Sequence, residues 1–349
     1  MKKKIQIIVG NSNSKFSGVT STMLQTIPYI NDNIKLAVLG KSFVPKKFKV
    51  INFYDFLKLT LKTDTPVLFH ARRNSEMLLA LISKWLGGNI KIVFTSTAQR
   101  YHTKFTRFLI NQMDGIIATS DRAARFIHKK ADAIIPHGVD LDRYHPAQDK
   151  HDAWINLGFP GRFGIGIFGR VRPQKGIHLL VETVIPLLKK HTDACVIIVG
   201  KTTARYMPYR DKLKLLVSKA GLSDRILFLG EKDFGELPEY FRATSIITAL
   251  SENEGFGLTV LEAMASGTAV IATKAGAWPN IITDHRDGIL IPVGNAELLC
   301  RSLSFCLENR KAVESMGQNG RKKALQEYSI LKESRSLLSY YLNQLKLVP

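Results

Sequence analysis

Acidic side chains are scarce in this chain: 29 Asp and Glu stand against 50 Lys and Arg, which leaves a net charge of +21 over 349 residues. That imbalance predicts attraction to something acidic, whether nucleic acid, an anionic membrane face or an anionic substrate. Cysteine is almost absent. Cys195, Cys300 and Cys306 have neither metal-ligand nor C-x-x-C spacing, a pattern of reducing compartments, and Cys195 opens an apolar strand and reads as core. No apolar run approaches the ~18–20 residues of a membrane span. Met1-Lys2-Lys3-Lys4 has the look of a signal n-region, but the apolar run Ile5–Val9 is too short for an h-region. The expected location is therefore cytoplasmic, with any membrane contact peripheral. G-x-G-x-x-G is missing after the first strand, so a dinucleotide fingerprint is not supported. RRM, KH and zinc patterns are missing too, and the aromatics do not interleave with the basic clusters, which argues against nucleic-acid binding.

What is present suits a folded soluble protein: 45% apolar and 23% charged residues. The length exceeds one ordinary core and fits two α/β domains. The most informative stretch is Ser245–Ala272, which reads as strand (245–250), Gly-rich acidic loop, helix (258–265), turn and strand (269–272). Glycines 255 and 257 let backbone N–H groups approach a ligand closely. A helix N-terminus attracts phosphate, and the carboxylates of Glu254 and Glu262 can accept hydrogen bonds from sugar hydroxyls. Together they suit a ligand that is both sugar and phosphate.

The rest of the chain divides around this unit. Ile5–Val9, the polar loop 10–18 and a helix over 19–30 open a Rossmann-like half. Strands over 67–69 and 92–94 each run into polar loops, and residues past strand ends line the crevice of an open α/β sheet. The first loop carries His70, Arg72, Arg73 and Asn74; the second carries Gln99, Arg100 and His102. Their cations and amides could hold a carboxylate or phosphate. The segment 46–62 mixes five lysines with aromatics and leucines, and reads either as a basic amphipathic surface for anionic lipid or as a helix packed on its domain. Strands over 115–119 and 133–136 close the half, and the proline-bounded stretch 146–160 reads as an interdomain linker. A second half begins at 163: strand 164–168, then a loop that places Arg170 and Lys175 at a helix N-terminus, where two cations can neutralise a departing diphosphate. Strands over 194–199, 226–229 and 288–292 and a closing helix from 330 complete the pattern.

Several strings resemble one family. Glu254 to Glu262 resembles the donor-binding E-x7-E segment of retaining GT-B glycosyltransferases of family 4, G-R-x-x-x-x-K-G over 169–176 resembles their phosphate loop, and His137-Gly138-Val139-Asp140 their H/N-G-V-D motif. GVTST, HARRN, TSTAQRYHT, HGVDL and NEGFGLTVLEAMAS together resemble the lipopolysaccharide core mannosyltransferases within that family. The resemblance implies two Rossmann-like domains facing across a cleft, an acceptor-binding domain over 1–150 and a nucleotide-sugar domain over 160–329, with the last helix (330–349) returning to the first. It implies retaining transfer of mannose from GDP-mannose to a Kdo residue of a lipid A-linked acceptor, on the cytoplasmic face of the inner membrane. Alternatives are a UDP-hexose with another acceptor, a non-transferase sugar-nucleotide enzyme or, remotely, a nucleic-acid-binding protein. The resemblance assigns catalysis to Arg170, Lys175 and Glu254. It assigns donor binding to Gly18, Gly230, Glu231, Gly255, Phe256, Gly257, Leu258 and Glu262. Acceptor binding falls to His70, Arg72, Arg73, Asn74, Gln99, Arg100 and His102. No DxD-like pair occupies a strand-end loop and Arg170 and Lys175 can do a metal's work, so no metal is expected. Front-face transfer is expected, in which the leaving diphosphate takes the acceptor's proton.

Overall fold

A computed structural model describes residues 5–15 and 17–346; the signal-like Met1–Lys4 lies outside these. The chain forms two compact units, residues 1–138 with 329–349, and residues 139–328. In the first unit the strands are β1 (Ile7–Gly10), β2 (Leu36–Leu39), β3 (Lys49–Ile51), β4 (Val67–Ala71), β5 (Ile90–Ser96), β6 (Gly115–Ala118) and β7 (Ala133–Ile134). They form one parallel sheet in the order β3-β2-β1-β4-β5-β6-β7. In the second unit β8 (Phe163–Phe168), β9 (Ala194–Val199), β10 (Ile226–Gly230), β11 (Ile246–Ala249), β12 (Ala269–Thr273) and β13 (Ile289–Ile291) form a second parallel sheet. Its order is β10-β9-β8-β11-β12-β13.

The central strands are short, apolar and covered on both faces, as parallel strands flanked by helices must be, while β3, β7 and β10 at the sheet edges are partly exposed. Phe163 to Phe168 of β8 and Ala194 to Val199 of β9 are all buried and pair in unbroken register. In each sheet the strand order reverses beside the first strand, between β1 and β4 and between β8 and β11. Ligands bind at such switch points, beyond the carboxyl ends of the strands.

Two expectations change. The stretch 146–160 is no free linker, and the division falls at Gly138/Val139 rather than at 150. The stretch contains the helix Lys150–Asn156, and Tyr144 and Trp154 are buried in the second unit. The cause is a packing fit: a Cβ on Gly164 would sit 2.3 Å from the Trp154 ring, so glycine there admits the indole, whose Nε1 donates to the Pro160 carbonyl at 3.0 Å. The segment 46–62 is likewise not one helix. It splits into β3 and the helix Phe53–Leu61, with Phe48 and Phe56 in the core and Tyr54 in solvent.

The last helix, Ile330–Leu345, belongs to the first unit, where Leu337, Tyr341 and Leu345 pack with Met23 and Ile27 of the helix Gly18–Asn33. Glu333 pins its start by accepting from the Gly138 N–H at 2.7 Å and pairing with His137 Nδ1 at 2.8 Å.

Candidate active site

The second unit brings the Ser245–Ala272 loop and the β8 loop together. Lys175 Nζ lies 2.5 Å from Glu254 Oε2, and Ser251 Oγ donates to the same oxygen at 3.3 Å. The pair is about one-fifth exposed on each side, so it faces the crevice without being dissolved in bulk water. Arg170, on the same loop as Lys175, is exposed and makes no hydrogen bond or ion pair among the described residues. The backbone conformation is set by glycine. Gly176 has φ +69° and a Cβ on it would meet the Leu250 carbonyl at 2.4 Å, while Gly257 has φ +80° and a Cβ would meet Trp278 Nε1 at 2.2 Å. That indole donates to the Gly257 carbonyl at 3.1 Å and fastens the loop. Gly257 caps the helix Leu258–Ala265 with no side-chain acceptor; the Val260 N–H donates to the Gly257 carbonyl at 3.3 Å, and the Leu258 and Thr259 N–H groups remain open to an anion.

Glu262 sits one turn into that helix and is half-buried. Burial pushes its carboxyl up to about 7, against the opposing pull of the Tyr144 hydroxyl and the Arg143 guanidinium beside it. The Nε and Nη2 of Arg143 are buried without hydrogen-bond partners, so this corner holds a cation that a ligand could satisfy. Sequence reasoning missed Arg143 and Tyr144, which lie between the H-G-V-D motif (137–140) and the stretch read as a linker (146–160). A cavity of about 230 Å³ lies near the carboxyl ends of β9 and β10, lined by Ile198, Gly200, Lys201, Arg210, Phe228, Gly230 and Glu231 among others. Glu231 pairs with Lys201 at 2.7 Å in solvent, and Gly230 has φ +74° with open space around it.

Within the first unit the predicted residues separate into those free to bind and those consumed by the fold. His70 is corrected: it is 1% exposed, its Nδ1 lies 2.5 Å from the Tyr341 hydroxyl and its Nε2 2.7 Å from Thr95 Oγ1. Burial holds it well below the usual imidazole range. With both nitrogens occupied it braces the sheet against the last helix and offers no atom to an acceptor. Arg73 is also braced, donating to Glu76, Ser17 and Thr20, and the Asn74 amide donates to Thr106 Oγ1 at 2.8 Å. Phe256, in the second unit, is corrected in the same way, since its ring is 5% exposed in the core and only its backbone can meet a donor. Gly18 opens the first helix with nothing within 4 Å of a Cβ, so no close approach requires glycine there.

Other predicted groups remain available. Both polar atoms of the Gln99 amide and Nη1 of Arg72 are buried and unpartnered, which is what a ligand-binding group looks like before its ligand arrives. Arg100 is exposed. His102 Nε2 lies 3.2 Å from Ser96 Oγ, and burial, aided by the His128, Arg100 and Arg107 charges, lowers its pKa. The structure adds Glu76, fully buried, which accepts from the Ser12 and Arg72 N–H groups, the Ser12 hydroxyl and Arg73. Its carboxylate thus ties the loops after β1 and β4 together. Only the Arg73/Glu76 spacing of three hinted at it. Glu76 also borders a cavity of about 530 Å³ at the carboxyl ends of β1, β2 and β3.

Comparisons with known proteins agree with this architecture. The family model described as glycosyl transferases group 1 matches residues 156–323. The chain is 38% identical over 343 residues to the lipopolysaccharide core biosynthesis mannosyltransferase LpcC of Rhizobium leguminosarum bv. viciae, covering 97% of this chain and 96% of the relative. It is 36% identical to LpsB, of the same description, from Rhizobium meliloti strain 1021, covering 97% of each. Among solved structures, the C-terminal domain of a group 1 family protein (LpcC) from Francisella tularensis is 39% identical over 55% of this chain and 99% of its own, with a TM-score of 0.53. Anabaena Alr3699/HepE, crystallised with UDP, shares the fold at a TM-score of 0.84 and 18% identity, covering 97% of this chain and all of its own. The chain belongs to the group 1 glycosyl transferases, and it is a glycosyltransferase of the GT-B fold.

Proposed function

We propose that this enzyme builds the lipopolysaccharide core by transferring mannose from GDP-mannose to a Kdo residue of a lipid A-linked acceptor, with retention at the anomeric carbon. The observation that carries the reading is the Lys175–Glu254 pair beside the partnerless Arg170 and the open N-terminus of the helix Leu258–Ala265. Together they offer a hexose hydroxyl acceptor and a diphosphate cradle in one loop cluster. Glu262 accepts from the ribose hydroxyls, and the cavity at Gly230 and Glu231 takes the base. In the transfer step the bond from the anomeric carbon to the diphosphate oxygen breaks. The acceptor hydroxyl bonds to that carbon on the same face, and its proton passes to the departing diphosphate. Arg170 and Lys175 stabilise the charge that develops there, each worth on the order of a few kcal/mol, without a resident metal. Arg72 and Gln99 engage the acceptor's anionic sugar. The names of the two rhizobial relatives support the mannose and core assignments.

The test is transfer of radiolabelled mannose from GDP-mannose to Kdo-lipid A, run beside UDP-hexoses. Label should enter the lipid fraction only when Kdo is present and should disappear with Glu254→Ala. Label from a UDP-hexose alone would replace this reading with a UDP-hexosyltransferase.

The acceptor's location accounts for a further feature. No helix among the described residues is long and apolar enough to cross a membrane, yet the first unit exposes Tyr54, Trp85, Tyr101, Phe105 and Phe108. The last two alternate with Lys104 and Arg107 on one short helix, which suits peripheral docking on the anionic cytoplasmic face of the inner membrane. Binding to phosphatidylglycerol vesicles should fall steeply between 50 and 500 mM salt; salt-insensitive binding would refute the docking.

A further inference from the structure

A larger cavity, about 700 Å³, lies in the second unit away from the donor loops. Phe163, Ser245 and Gly267 form part of its floor. They stand at or just before the amino ends of β8, β11 and β12, whereas Arg170, Glu254 and Glu262 follow the carboxyl ends. The length of β8 alone separates the two regions by about 17 Å at ~3.3 Å per residue. The walls are the segment 146–151 and one face of the helix Arg310–Glu327.

The charge around this cavity is strongly one-sided. Lys150, Arg162, Arg310, Arg321 and Lys322 line it, against the carboxylates Asp149 and Glu314. Asp149 is already engaged, accepting from the Asp152 N–H at 2.8 Å as a helix cap. Among these cations and the described residues, only Arg310 has a carboxylate partner, Asp193. Arg321 donates to the carbonyls of Tyr144 and Ala265 at 2.9 and 2.8 Å, and Lys150 to two carbonyls and the Thr268 hydroxyl. Those acceptors are neutral, so they orient Arg321 without cancelling its charge, whereas burial pulls the Lys150 amine down to about 7 and its three bonds leave it no donor for an anion. The side chains of Arg162 and Lys322 are exposed and have no hydrogen-bond or ion-pair partner among the described residues. His151 Nδ1 is buried there and unpartnered as well. A concave volume within the ~300–1,000 Å³ of small-molecule sites, rimmed by forked guanidinium donors, is built to receive an anion.

We infer that this cavity is a second, non-catalytic binding site for a soluble phosphorylated small molecule, held by Arg162, Arg321 and Lys322. A ligand of the native state stabilises the unit that holds it, so occupancy here can act on the donor unit without competing for the donor loops. The test is calorimetric titration of inorganic pyrophosphate into three proteins: wild type, Arg170→Ala/Lys175→Ala, and Arg162→Glu/Lys322→Glu. Both charge-reversed positions are exposed, so that variant keeps its fold, which a thermal melt verifies. Arg170→Ala/Lys175→Ala should retain one equivalent of pyrophosphate, and Arg162→Glu/Lys322→Glu should weaken that same equivalent at least tenfold. Any other pattern overturns the site, including no pyrophosphate bound by wild type. The same phosphate chemistry could be carried by a lipid headgroup. Cosedimentation with phosphatidylglycerol vesicles should therefore be equal for Arg162→Glu/Lys322→Glu and for a control reversal at the exposed Lys189/Lys190. A selective loss in the former would overturn the assignment to a soluble ligand.

Discussion

Replacing Glu262 by Gln should stabilise the protein above neutral pH while weakening its grip on the donor. Burial raises the carboxyl from 4.5 to about 7, so the folded chain holds this proton more tightly than the unfolded chain does. Stability from this group is therefore fully present below about pH 4.5, is lost as pH rises toward 7, and stays lost above it. At about 1.4 kcal/mol per pH unit, the ionised form carries a ceiling of about 3 kcal/mol at pH 8. Gln removes the charge but buries an amide N–H2 short of partners, which costs about 1 kcal/mol. The net gain is about 2 kcal/mol, or about 4–8 °C in Tm for a unit of this size. Thermal unfolding at pH 8 and pH 5 checks it, since the gain should shrink toward zero at the lower pH. Nucleotide-sugar affinity should move the other way, falling about tenfold or more, because a charged acceptor to ribose hydroxyls is replaced by a neutral one. A variant no more stable than wild type at pH 8, or one that binds the donor equally well, would refute the reasoning.

Gly257→Ala should be among the most damaging single-methyl changes. It forces a left-handed φ on an L-residue, costing about 1–2 kcal/mol, and drives a Cβ to 2.2 Å from Trp278 Nε1. A Tm loss of several degrees with altered Trp emission is the expected record, and unchanged emission would mean the loop is not seated on that indole. Arg72→Ala and His70→Ala should separate binding from bracing. The first should raise the acceptor KM several-fold with nucleotide affinity intact, whereas the second should lower Tm by opening the Tyr341 and Thr95 contacts and leave the acceptor KM near wild type. A raised KM in a well-folded His70→Ala protein would return that residue to the acceptor site.

The alternation of apolar strands with helical segments made the two-unit α/β architecture readable, because buried parallel strands need uninterrupted apolar runs and little else. The boundary was less readable. Pro146 and Pro160 punctuate a polar stretch, and nothing local in it announces that Trp154 would be received by Gly164, a residue outside the stretch. The strands β2 and β3 escaped notice for a related reason. They are four and three residues long, too short for periodicity to register, and they are strands only because β1 offers an edge to β2 and β2 one to β3. The helix Asn74–Trp85 begins without a side-chain cap, so the usual start signal is absent.

The same distinction explains which site residues could be foreseen. The donor loop is constrained by backbone: Gly176 and Gly257 sit at positive φ, pressed against neighbours, and such constraints survive as a fixed spacing in the sequence. The acceptor side is constrained by side-chain contacts between distant segments, and these leave no spacing to read. His70 lies in β4 and Arg72 just past its carboxyl end, yet one turns inward onto Tyr341, 271 residues away, and the other keeps a buried, unpartnered Nη1. Strand alternation places residues two apart on one face, so it cannot tell these two apart; His70 is claimed only when Ile330–Leu345 packs. Glu76 is the extreme case. A lone carboxylate opening a helix looks like a solvated charge, and only the arrival of Ser12, from the loop after β1, turns it into a fully buried junction. Chemistry fastened to the backbone can be read along the chain, whereas chemistry fastened to tertiary contacts has to be read in three dimensions.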